Sequence, residues 1–189
     1  MHPILFEDGF EMVNNILKGY HLSLMTPTKP FDFDIDDSKK LFETLKQIMI
    51  KNNGIGLAAN QIGINKRVFV YRNFEVNEDG ETITNNVSCV FNPVVIGASD
   101  TKITLEEGCL SFPGLIVDIE RHDTIWCEYY DVDGNFHNDQ ITGMNSRIWQ
   151  HEIDHLDGDL FFNRIPRVKR DLIMDKWRKN YVKLSKKIA

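Results

Sequence analysis

An α+β fold, with antiparallel β-sheets packed around a central helix and a further helix at the C-terminus, is what this chain predicts. Three observations carry the prediction. Strand-like runs fill the middle of the sequence, and turn-forming residues separate them. Helical spacing of apolar residues is confined to the flanks and to 141–156. Short strands at this spacing argue for antiparallel sheet and against βαβ units.

Residues 10–18 place Phe10, Val13, Ile16 and Leu17 at helical spacing and predict a short helix. The stretch 23–37, with Pro27 and Pro30, reads as extended loop, because proline restricts the residue before it. Ser38 is a candidate N-cap for a helix over 39–51, with Leu41, Leu45 and Ile48 in one stripe and Phe42 and Met49 beside it. Asn53-Gly54 suits the exit of that helix. Strands follow at 67–73, 88–97, 115–121 and 124–131, each rich in β-branched and aromatic residues. The turn signals are Asn77 to Gly80, Pro113-Gly114 and Asp131 to Gly134. Helical patterning returns over 141–156 and 168–184, the second a basic amphipathic segment whose charges read as a solvated face.

A chain of 189 residues fits one domain, with residues 1–20 as an N-terminal extension. Lys and Arg total 22 against 28 Asp and Glu, a net charge of −6. That balance argues against a specific nucleic-acid site, which needs a basic face. No stretch approaches the roughly 20 apolar residues of a membrane span, and the start lacks the basic and long apolar regions of a secretory signal. Cys89, Cys109 and Cys127 have no staple-like spacing, so a reducing cytoplasm is the expected compartment.

The chemistry concentrates at 151–155, His-Glu-Ile-Asp-His. On a helix, His151 and His155 stand one turn apart and can grip one divalent ion. At about 100° per residue, Ile141, Met144 and Ile148 cluster near the two histidines, and Trp149, Ile153 and Leu156 continue that arc. Arg147, Gln150, Asp154 and Asp157 take the other, polar side. Glu152 therefore falls inside the apolar arc, where an unpartnered carboxylate costs several kcal/mol. A cation beside it, or a catalytic task, removes the anomaly.

A catalytic ion usually takes three protein ligands and keeps one position open. Cys109, in Glu-Glu-Gly-Cys-Leu-Ser, is the best third candidate, with an Asp or Glu open as an alternative. Cys89 and Cys127 sit in strand-like apolar runs and read as buried thiols. A zinc endopeptidase shares HExxH but would need a third His or Glu, and Phe161 stands where one common protease pattern has its third His. A metal-binding module without turnover is disfavoured by Glu152 and, by the resemblance given below, by Gln61. A nucleobase deaminase would need a P-C-x-x-C segment that the chain lacks. Gly54 to Gly63 is glycine- and alanine-rich and reads either as a packed turn or as a loop whose backbone pairs with an extended peptide.

Three segments, Gly54-Ile-Gly56-Leu-Ala-Ala-Asn-Gln61, Glu107-Gly-Cys109-Leu-Ser111 and Gln150-His-Glu-Ile-Asp-His155-Leu-Asp-Gly158, together resemble peptide deformylase, which shows GxGLAAxQ, EGCLS and QHExDHLxG in that order. The resemblance runs from about Pro27 to the final helix. It implies an enzyme that removes the N-formyl group from N-formylmethionyl chains as they leave the ribosome, releasing formate, with a transient ribosome contact. It implies Cys109, His151 and His155 as metal ligands and Glu152 as general acid/base. Gln61 and the N–H of Leu110 match the groups that polarise the formyl oxygen, and Glu107 and Arg121 match a buried supporting ion pair. The resemblance favours Fe(II), with Zn(II) or Ni(II) able to occupy the site. Ile55, Met144 and Ile148 are expected to receive the methionine side chain, with the peptide backbone pairing along Gly56 and Gly108. The chain departs from the family pattern in its leader, in His122 where a proline usually follows the matched arginine, and in a longer segment over 74–88.

Overall fold

The computed structural model describes residues 16–76 and 82–188. Helix α1 (Ser38–Lys51) is followed by strands β1 (Gly56–Ala58), β2 (Val68–Val76), β3 (Thr82–Ala98), β4 (Lys102–Cys109), β5 (Phe112–His122), β6 (Thr124–Tyr130) and β7 (Phe136–Thr142). Helices α2 (Gly143–Leu156) and α3 (Arg167–Ile188) close the chain. All strand pairs are antiparallel. One sheet has five strands in the order β1-β2-β3-β6-β7, and β4 and β5 form a separate two-stranded sheet. The α+β expectation, with α2 central, holds.

Helix α2 lies between the two sheets, with its apolar residues toward the large sheet and Arg147 and Asp154 toward the small one. Ile148, Trp149, Ile153 and Leu156 pack with Phe69, Val90, Ile125 and Cys127 of the large sheet. On the small sheet, β5 buries alternate residues, Leu115, Val117, Ile119 and then Arg121, as a period-2 strand must. Phe161, Phe162, Met174 and Trp177 cover the apolar part of that face, and Trp177 Nε1 donates to Pro113 O at 3.0 Å. On the other side, α1 buries Leu41, Leu45, Ile48 and Met49 against Leu57, Val70 and Phe91.

Several expectations are corrected. The N-cap of α1 is Asp37, whose carboxylate accepts from Lys40 N at 2.9 Å, while Ser38 Oγ donates to Val132 O. The exit at Asn53-Gly54 holds as expected, with Asn53 taking the positive φ of 54°, a conformation asparagine tolerates. Pro113-Gly114 lies inside β5, and the hairpin turns at Leu110-Ser111 instead. The run Gly54–Gly63 is not one loop: it holds β1 and a 3-10 turn, Ala59–Ile62. Ile141 belongs to β7, where it pairs with Ile125. Residues 16–18 are not helical; the rest of the helix expected over 10–18 lies outside the described residues, as does the turn at 77–80. Strands β4 and β7 give no signal in the sequence because both expose most of their residues, which leaves no apolar alternation to detect.

Candidate metal centre

Helix α2 presents His151 and His155 to the end of the β4–β5 hairpin, where Cys109 is the last residue of β4. The ligand atoms of Cys109, His151 and His155 lie within 4.8 Å of one another. Cys109 Sγ stands 3.1 Å from His155 Nε2. Glu107 Oε2 is 3.1 Å from His151 Nδ1, which occupies that nitrogen and leaves Nε2 for the cluster, a common device for orienting a ligating imidazole. Burial opposes the Cys109 thiolate, yet the neighbouring His155 and His151 hold its pKa well below the ordinary thiol range. Cys89 and Cys127 are buried in strands, and burial pushes both thiols up, Cys127 to about 12.

Glu152 is 3% exposed, and its Oε2 has no hydrogen-bond partner among the described residues. Burial pushes its carboxyl up to about 7, although the two histidines pull the other way. Gly56 makes room for it: a Cβ on Gly56 would overlap the Glu152 carboxylate. A thiolate, two imidazoles and an unsatisfied buried carboxylate fit a divalent transition-metal ion by donor softness and by charge.

Gln61 reaches the same place from the 3-10 turn. Its Oε1 accepts from Ala58 N at 2.8 Å, so the amide group is turned inward, with Nε2 3.1 Å from Ser111 Oγ and 3.5 Å from Cys109 Sγ. Leu110 occupies the hairpin turn next to it. A cavity of about 510 Å³ opens over these groups. Ile55, Gly56, Gly108, Met144 and Ile148 line it, together with Gln61, Leu110, His151 and Glu152. His155 is 1% exposed and sits beneath. Ile55 and Met144 are largely exposed at the mouth, whereas Ile148 is 3% exposed. Gly108 allows close packing, since a Cβ there would meet Ile116 Cδ1 at 2.9 Å.

The polar side of α2 is buried as well. Arg121 pairs with Glu107 through Nε and Nη2, both at 2.9 Å, and with Asp154 through Nη1 at 2.6 Å. Arg147 adds a further contact to Glu107 and donates to Ile119 O at 3.0 Å. Arg164 donates to Asp154 through Nε at 2.8 Å. Burial disfavours the charge on Glu107, but Arg121 and His151 hold it far below the usual carboxylate range. Sequence reasoning misses Arg147, Asp154, Arg164 and Ser111 as parts of the site. Helical spacing groups Arg147 with Asp154, but only the cover supplied by β4 and β5 makes that stripe a buried network.

Residues 13–171 match the polypeptide deformylase family. The chain belongs to that family. The match begins upstream of Pro27 and so takes in the segment 16–26 that precedes the motifs. Deformylase relatives include a peptide deformylase of Zymomonas mobilis, 36% identical over 141 residues, covering 75% of this chain and 79% of that protein. One from Thermus thermophilus is 36% identical over 160 residues, covering 81% and 83%. Among solved structures, a Thermus thermophilus deformylase superposes with a TM-score of 0.77 at 34% identity, over 92% of this chain and 98% of that one. The Ehrlichia chaffeensis deformylase in complex with actinonin gives 0.74 at 34% identity, over 87% and 95%. Deformylases are metal-dependent hydrolases; this chain has their fold, and its Cys109, His151 and His155 form a cluster that could hold an ion.

Proposed function

We infer that this protein removes the N-formyl group from N-formylmethionyl polypeptides, releasing formate, at the Cys109, His151 and His155 centre. The observation that carries the reading is the convergence of these three ligand atoms under a cavity that Glu152 and Gln61 also line. A bound divalent ion supplies a Lewis acid that lowers the pKa of water and polarises a carbonyl. Glu152, buried beside the three ligands, accepts a proton from the attacking water and delivers it to the leaving amine. Gln61 Nε2 and the Leu110 N–H donate to the oxygen on which charge develops.

The substrate's first side chain enters the apolar wall of Ile55, Met144 and Ile148. Its backbone adds in extended form along β1, the edge strand of the five-stranded sheet, and reaches Gly108 opposite. Glu107 and Arg121 hold His151 in place. Thiolate and imidazole ligation suits Fe(II), with Zn(II) and Ni(II) as alternative occupants. Among the described residues no helix is long and apolar enough to cross a membrane. The reading places the enzyme in the cytoplasm, in transient contact with ribosomes that deliver its substrate.

The test pairs metal analysis of anaerobically purified protein with a formate-release assay. Formate should come from formyl-Met peptides and hardly at all from acetyl-Met peptides, because a methyl on the acyl carbon overpacks the space between Gln61 and Leu110, at about 1–3 kcal/mol. Comparable hydrolysis of both would sink the substrate assignment.

A further inference from the structure

The segment before the first motif laces together the two loops that build the centre. Leu17 N donates to Gln61 O at 2.8 Å, and Gly19 N donates to Ser111 O at 2.8 Å. Between them, Lys18 turns its side chain to the mouth of the cavity, where Nζ donates to Leu110 O at 2.6 Å. The carbonyl of Leu110 and the N–H of Ser111 are the two ends of one planar peptide unit. That N–H lies 3.4 Å from Cys109 Sγ. One peptide therefore meets an ammonium at its oxygen and the cluster's sulfur at its nitrogen.

We propose that Lys18 is a positioning residue for the metal centre, holding and polarising the Leu110–Ser111 peptide so that its N–H stays on the Cys109 sulfur. This rests on the reading of Cys109 as a metal ligand. A hydrogen bond from an ammonium is charge-assisted and shorter than a neutral one. Hydrogen bonds in series strengthen one another, so the cation at the carbonyl makes the amide a better donor to the sulfur. A thiolate that accepts such a bond gives less electron density to the ion, which then polarises water and carbonyl more strongly. The same tether also fixes Leu110, whose own N–H faces the reacting oxygen in the function inferred above.

The test uses cobalt(II)-loaded full-length protein and compares wild type, Lys18→Met and Lys18→Arg. The sulfur-to-metal absorption band should move to lower energy in Lys18→Met and stay in place in Lys18→Arg. With the same three proteins, kcat for a formyl-Met peptide should fall about fivefold in Lys18→Met, the size of one net hydrogen bond, with KM nearly unchanged. A band that does not move overturns the proposal, and a raised KM beside it would make Lys18 a substrate contact instead. If wild type shows no sulfur-to-metal band at all, Cys109 is not a ligand, and both the proposal and the metal-site reading fall.

Discussion

Helix α2 carries two buried polar stripes that are built to opposite rules. Toward β4 and β5, Arg147 and Asp154 belong to a network with Arg121, Glu107 and Arg164 in which every charge meets an opposite one. Toward the cavity, Glu152 Oε2 is buried with no hydrogen-bond partner among the described residues. Buried polar groups are normally satisfied, so the first stripe follows the rule and the second breaks it. The lesson is one of roles. Paired charges fix where His151 stands and contribute little chemistry; unpaired ones hold free energy in reserve for an ion and a substrate.

The largest effect should come from breaking the unsatisfied stripe at its reactive group. Glu152→Gln keeps the shape but cannot accept a proton, so turnover should fall by about 100- to 10,000-fold. Metal content, measured on the same preparation, should match wild type. Near-normal formate release would remove Glu152 from its role.

Breaking the satisfied stripe should show up first in stability. Arg121 is 1% exposed and bonded to both Glu107 and Asp154. Arg121→Met leaves two buried carboxylates short of their cation, at a cost of about 3–5 kcal/mol, to be read from urea unfolding. A loss under about 1 kcal/mol, the scale of an exposed pair, would mean that water or Arg147 and Arg164 replace it.

The smallest effect sharpens the contrast, because wild type and Glu152→Gln should diverge with pH. Glu152 is raised to about 7 in the fold, above the roughly 4.3 of a free Glu. The metal-free folded protein thus binds a proton that the unfolded chain has released, and its stability should fall as pH rises from about 4 through 7. Glu152→Gln should flatten that slope, and a bound ion, by compensating the carboxylate, should shrink the difference. Parallel unfolding curves for the two metal-free proteins across this range would show that the carboxylate carries no burial penalty.

How much of this was legible in one dimension depends on the element. Helix α1 announces itself through an apolar stripe, and strands β2, β3, β5 and β6 through runs of β-branched and aromatic residues between turn signals; β5 alternates buried and exposed positions, whereas β2 buries Val68 to Tyr71 without a break. Strands β4 and β7 do not, because most of their residues face solvent and hydrogen bonding to a neighbour alone makes them strands. At the site, His151, Glu152 and His155 are visible through their spacing and through a carboxylate in an apolar arc. Asp154 is invisible as a network residue, because its partner Arg121 is 33 positions away. Lys18 is more hidden still, 92 positions from the carbonyl it holds.

The sequence by itself determined the reactive inventory, because ligand chemistry depends on residue type and helical spacing is local. It also settled the class of fold, through helical spacing at the flanks and β-branched and aromatic runs between turn residues. Tertiary structure decided which polar groups are paired and which are left wanting. Burial and pairing join residues far apart in the chain, and no local pattern encodes them. The hairpin that carries Cys109 to His155, the charge network behind His151 and the strap that brings Lys18 to Leu110 all exist only once the two sheets have closed on α2.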